Sequence, residues 1–149
     1  MEKGNYKTFV WMLALSFIIM YGVMFLNVDQ ADHIYLSMTR LYMTLMMVAS
    51  MALLMLAMMR MMYKNRKLNL VIILSSMVVF ILSLVGVRTQ TLVSDVQYMK
   101  GMIPHHSIAI MTSKNANIKD PEVRKLADGI IKTQEKEIAE MKAILARMK

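Results

Sequence analysis

The sequence predicts an all-α fold: three transmembrane helices followed by an extracytoplasmic antiparallel helical hairpin. Three observations predict it. The residues up to Val87 hold three long apolar runs, each bounded by Lys, Arg or Asp. From Arg88 onward charge is frequent, so the chain divides into a transmembrane region, 1–87, and a polar helical domain, 88–149. That polar part breaks into two helical segments around Asn117-Ile118-Lys119-Asp120.

The spans are expected at about Phe9–Leu26, Leu41–Met59 and Leu68–Val87. Each approaches the roughly 20 residues that carry a helix across a bilayer core. Tyr6 and Trp11 lie near one end of the first run, and Tyr42 and Tyr63 flank the second. Those are interface positions for amphipathic rings. Lys3 and Lys7 give a basic start, but the apolar run outlasts a signal-peptide core and no A-x-A-like site follows it. An uncleaved span is therefore expected. Lys3, Lys7, Arg60, Lys64, Arg66 and Lys67 fall on one side of a three-span topology, which should be cytoplasmic. The Asn27–Thr39 loop and everything after Val87 then lie outside, with His33, His105 and His106.

A net charge of +8 does not point to nucleic acid. Many basic residues flank apolar runs, and the rest alternate with acids along the last helix, as on a solvated face. There is no Gly-rich phosphate loop. Cysteine is absent, which excludes disulfides, thiolate metal sites and cysteine nucleophiles. Methionine is unusually frequent, at 20 residues. Thioethers are adaptable packing groups, and they are also soft ligands for Cu(I) and, by the same softness, Ag(I). Met43, Met47, Met51, Met55, Met58 and Met62 line one face of the second span. That stripe reads either as a thioether path for a soft metal or as an adaptable helix contact, and helical stripes are usually packing.

In the polar part, the first segment runs over Thr91–Ala116 with the seam Leu92, Val96, Met99, Met102 or Ile103, His106, Ile110 and Ser113. Pro104 removes a backbone donor and disfavours helix at Ile103, so a kink or a helix start is expected there. The second helix starts at Pro121 behind the N-cap Asp120. Its seam reads Val123, Ala127, Ile130, Gln134, Glu137, Met141, Ile144 and Met148, widened by Ile131, Ile138 and Leu145. A carboxylate in such a seam is costly unless paired, protonated or metal-bound. Folding the segments back on each other sets His106 opposite Gln134, Met102 and Ile103 opposite Glu137, and Met99 opposite Met141. Adjacent histidines point about 100° apart on a helix, so His105 and His106 do not readily chelate one ion together. The residues admit both a metal site and a buried polar network of His106, Gln134 and Glu137.

Met99-Lys-Gly-Met102-Ile-Pro-His-His106, followed by Ala109-Ile-Met111, resembles the signature of the bacterial family called domain of unknown function 305. Asp120-Pro-Glu-Val123, Leu126-Ala127, Ile130-Ile131, Gln134, Glu137-Ile138 and Met141 fit the same pattern, and the likeness covers about Ser94–Leu145. The resemblance implies a ferritin-like helical domain, here half of a bundle that a second chain or the spans would complete. It also implies a copper or silver role for Met99, Met102, His105, His106 and Met141, with Gln134 and Glu137 in support. A bacterial cytoplasmic (inner) membrane follows, with the C-terminal domain periplasmic or extracellular.

The expected function is a membrane-anchored Cu(I)/Ag(I)-binding protein of metal homeostasis or copper tolerance, not an enzyme. The lipid bilayer, a homo-oligomeric copy and a copper pump or chaperone are the expected partners, and nucleic acid is not. One rival is a structural, oligomerising membrane protein without metal. Another is a metal-dependent enzyme, disfavoured because di-iron carboxylate sites use Glu-x-x-His pairs that this chain lacks. The topology is tested by fusing reporters to the C-terminus. A reporter active only outside the cytoplasm should give signal, and a cytoplasmic reporter lit in its place overturns the orientation.

Overall fold

A computed structural model describes residues 2–148, with side chains from residue 5 onward. The side chain of Lys3, counted in the basic N-terminal segment, lies outside the described residues. The described residues are helical and turn, with no strand. Five α-helices form: α1 Glu2–Val23, α2 Met38–Met58, α3 Arg66–Thr89, α4 Asp95–Asn115 and α5 Pro121–Arg147, with a 3-10 turn at Ala31–His33. They assemble into two compact units. The first comprises residues 1–23 and 39–92, the second residues 24–38 and 93–149.

The first unit contains the three helices long and apolar enough to cross a membrane: Asn5–Val23, Met38–Met58 and Arg66–Thr89. Its core is small. Phe9, Ala52, Met55, Leu56 and Tyr63 are buried together, with Tyr6, Met51 and Ile72 packed around them. Tyr63 meets Phe9 edge-on at 5.3 Å between ring centroids, and Tyr6 at the same separation. The helical end of α1 extends over the polar residues Asn5 and Tyr6 because they find partners near the α2–α3 connection. Asn5 donates to the Met62 carbonyl at 3.2 Å, and the Tyr6 hydroxyl donates to Asn69 Oδ1 at 2.7 Å. Asn65 caps α3 by accepting from the Leu68 N–H at 3.1 Å. Leu15, Ile18, Leu54, Leu70, Ile81 and Leu82 remain open to the surroundings, as faces turned to lipid would be.

The methionine stripe of α2 divides between two environments. Met55 is buried and Met51 packs against the Phe9 core. Met43, Met47, Met58 and Met62 are exposed.

The second unit is built on α4 and α5, which run antiparallel. Ser94 caps α4 by accepting from the Gln97 N–H, and Asp120 caps α5 by accepting from the Glu122 and Val123 N–H groups at 2.9 and 3.0 Å. Of the kink or helix start expected at Ile103 and Pro104, the start does not form: α4 begins at Asp95 and runs through Pro104. The Pro104 ring is buried, so its packing offsets part of the lost backbone bond.

The buried centre draws mostly on the expected seams, with Ser107 in place of His106 on α4. On α4 it consists of Met99, Ile103, Pro104, Ser107 and Ile110. On α5 it consists of Ala127, Ile138 and Leu145, with Ile131 and Met141 packed alongside. Val123, Ile144 and Met148, expected in the seam, are exposed. The reason is a third layer. Segment 24–38 lies on the helix pair, with Tyr35 packed on the core and His33 buried.

Gly86 of α3 sits against Tyr42 of α2, and a Cβ placed on it would stand 3.0 Å from the Tyr42 ring. That ring has little freedom, because its hydroxyl donates to the Thr91 carbonyl at 2.7 Å. Gly86→Val should therefore cost about 1–3 kcal/mol of stability by overpacking. The cost should shrink in a Tyr42→Ala background, because the two residues share one contact. Thermal unfolding of the single and double variants in detergent checks this, and equal penalties in both backgrounds overturn it.

Candidate metal centre

Apart from His105, the expected site residues fall on the α4–α5 face next to the buried core. Met99 is buried, and Met141 packs against the same apolar cluster. Met102, His106, Gln134 and Glu137 are half-buried, and His105 is exposed. The His105 and His106 rings lie 6.0 Å apart and are tilted by 59°. The helix thus directs one imidazole inward and the other to solvent, as adjacent positions require.

The structure brings His106 and Glu137 together. Glu137 Oε2 stands 3.1 Å from His106 Nδ1, whose side chain is 14% exposed. The carboxylate lies off the hydrogen-bonding direction of the ring nitrogen, so Nδ1 is buried without a hydrogen-bond partner. The contact is a charge approach rather than a formed hydrogen bond. Glu137 lies one turn further along α5 than Gln134, the expected neighbour of His106. Ser113, which the same folded-back register sets opposite Ala127, meets Arg124 one turn earlier, through two guanidinium bonds of 3.1 Å to the Ser113 carbonyl. The long side chains reach across a turn in each direction, around the expected mean register.

Burial pushes His106 below the ordinary histidine range, with Glu137 opposing the shift and His105 adding to it. An imidazole held neutral keeps a lone pair available, as a metal ligand must. Among the described residues, no three His, Cys, Asp or Glu side chains converge on a common metal position. A metal held here would therefore need further donors, for which the thioethers of Met102 and Met141 are candidates.

Residue reasoning missed the polar node beside this face. Ser107, next after His106, is fully buried. Its hydroxyl oxygen accepts from the Asp29 N–H at 2.7 Å and lies 2.8 Å from His33 Nδ1. Asp29 also pairs with Lys114 at 3.0 Å, and Asp32 pairs with Lys142. The hydrogen bond from Lys142 is the main reason the Asp32 carboxyl sits below its usual range, and the bond to Asp29 is the main reason Lys114 sits above its own. The available signal was charge matching between the acids of segment 24–38 and lysines on the two later helices.

Three helices long and apolar enough to cross a membrane precede a helical unit that carries imidazole, carboxylate and thioether groups, in a chain whose described residues form no strand. The family model described as "Domain of unknown function (DUF305)" matches residues 87–149. An uncharacterized protein of Acanthamoeba polyphaga mimivirus is 34% identical over 148 residues, covering 97% of this chain and 95% of that protein. The chain belongs to the domain of unknown function 305 family. No solved structure matches it.

A histidine held neutral by the fold takes up its proton more readily once unfolded. In metal-free buffer, the unfolding midpoint should therefore fall as pH drops through the ordinary histidine value of about 6.5. Glu137→Gln removes the charge that favours the imidazolium, so its midpoint should fall more steeply, and His106→Gln should fall less. Thermal unfolding between about pH 8 and 5 checks the order. Identical slopes for all three proteins overturn the assignment.

Proposed function

We propose that this chain is a membrane-anchored Cu(I)/Ag(I)-binding protein of metal homeostasis, with α4 and α5 as its binding module. The observation that carries the reading is the buried Nδ1 of His106, without a hydrogen-bond partner, on the face that also holds Met102, Met141 and Glu137. Leaving a buried polar atom unbonded costs stability, and a ligand role accounts for its retention. The donor set fits a soft ion. Zinc sites draw on nitrogen, oxygen and thiolate, whereas thioether with imidazole suits Cu(I) and Ag(I).

His106 and the methionines Met99, Met102 and Met141 would hold the ion, with His105 available at the open side. Glu137 and Gln134 support the imidazole. Copper is the cargo here rather than a reacting centre, so no catalytic step is assigned. Packing of segment 24–38 on α4 and α5 supports a common side for both, since α2 and α3 separate them in the chain. With the basic 60–67 loop in the cytoplasm, that side is outward, where a copper pump or chaperone could exchange metal with it. Half-exposed Val123, Ile144 and Met148 are consistent with a second copy beside α5.

The test is thermal unfolding of the full chain in detergent under reducing conditions, with and without Cu(I), alongside competition with a Cu(I) chelator. Saturation at about a hundred times the dissociation constant should add about 2.7 kcal/mol to wild-type stability. His106→Ala and Met102→Ala should lose most of that gain while their metal-free midpoints change little. If the wild-type midpoint ignores Cu(I) and the metal-free His106→Ala midpoint falls sharply, a structural His106–Glu137 network replaces the metal reading.

A further inference from the structure

Segment 24–38 grips both helices of the second unit. It holds α4 at Ser107 through the Asp29 N–H and His33, at Lys114 through Asp29, and at Gln97, whose Oε1 accepts from the Met38 N–H at 3.1 Å. It holds α5 at Lys142 through Asp32. The node at Ser107 is the buried part of this grip. His33 is 5% exposed and Ser107 not at all.

The hydrogen positions at the node follow from what each group can do. A backbone N–H only donates, so Ser107 Oγ accepts from Asp29. The Ser107 proton then needs an acceptor, and among the described residues His33 Nδ1 is the one within reach. That nitrogen therefore carries a lone pair. The ring proton sits on Nε2, 3.7 Å from Asp32 Oδ1. A second proton on His33 would set donors on both sides of the 2.8 Å contact. Ser107 would then have to turn and accept, leaving its own proton buried without a partner.

The charged groups facing His33 are Asp29 and Asp32 on its own segment, Lys114 on α4, and Glu135 and Lys142 on α5. Each acid is already matched to a lysine: Asp29 and Glu135 to Lys114, and Asp32 to Lys142. Burial, the largest influence on the ring, favours the neutral form, as do both lysines, against Asp32 and Asp29. An open groove of about 230 Å³ bordered by Gln30, His33, Glu135 and Lys142 gives protons a route to the imidazole.

We infer that segment 24–38 is a proton-released clasp: neutral His33 holds Ser107, and protonation of His33 frees α4 one residue from His106, loosening the metal site. The clasp stands on its own hydrogen bonds, while the effect on metal rests on the Cu(I) reading above. The closed state binds fewer protons than the open one. Opening therefore rises as pH falls below the ordinary histidine value, by at most about tenfold per pH unit for one proton.

Hydrogen exchange of the full metal-free chain in detergent, corrected for intrinsic rates, tests the clasp between about pH 8 and 5.5. Protection across residues 28–38 should drop several-fold, up to about tenfold, in the wild type. It should hold in His33→Gln, whose amide oxygen accepts from Ser107 but does not titrate in this range. Ser107→Ala, which breaks the node outright, should be poorly protected at both ends of the range. A flat wild-type profile, or a fall shared equally by His33→Gln or Ser107→Ala, overturns the clasp. Chelator competition over the same range tests the coupling. Wild-type Cu(I) affinity should weaken about fivefold or more beyond that of His33→Gln. Parallel weakening overturns the coupling. Absence of Cu(I) binding at every pH overturns the metal reading alone and leaves the clasp to be judged by exchange.

Discussion

The second unit depends on one buried hydroxyl. Ser107 is the point at which residues from the connection between α1 and α2 enter the α4–α5 pair, through the Asp29 N–H and the His33 ring. A serine at a core position is tolerable only when its hydroxyl is satisfied, and two partners from another part of the chain satisfy it. The consequences spread from there. Tyr35 comes down on the core, Asp29 and Asp32 reach Lys114 and Lys142, and the buried centre of α5 turns toward Ile138 and Leu145. His106 and Met102 are left half-buried at the flank of that core rather than sealed inside it, with His106 facing Glu137.

On the proposed Cu(I) reading, that flank position would suit exchange of the ion better than permanent storage. A metal sealed among Met99, Ile103 and Ile110 would have no route out. One held beside His106, with His105 exposed next to it, has an open side. The Glu137 carboxylate supplies charge at 3.1 Å without completing a hydrogen bond. It can therefore attract a cation or steady the ring without occupying the nitrogen.

Much of this was legible from residue order alone. A helix that faces lipid must be apolar on nearly every side, so α1, α2 and α3 announce themselves as uninterrupted runs. The caps Asp120 and Pro121 located the start of α5 because helix ends need specific donors and acceptors satisfied. The seams of α4 and α5 were legible only to within one residue. Their periodicity told which face was apolar, but the third layer decided which part of that face is covered. Segment 24–38 carried no periodicity to read. It is polar, mostly irregular and only a 3-10 turn long in regular structure, so its tertiary role rests on single hydrogen bonds. Pro104 misled as a helix start for a related reason: propensity is a local quantity, and burial of the ring overrode it.

The two pieces of the second unit are far apart in the order of synthesis. The contacts that close it join residues 74, 78, 85 and 110 positions apart. Residues 24–38 leave the ribosome first and wait while α2 and α3 are made. If α2 and α3 both cross a bilayer, residues 24–38 meet α4 and α5 only once those two helices have brought the chain back to the same side. Should one of them fail to insert, Asp29, Asp32 and His33 are stranded across the membrane from Ser107, Lys114 and Lys142. In a membrane-spanning chain, completion of the polar unit would thus depend on correct insertion of the spans.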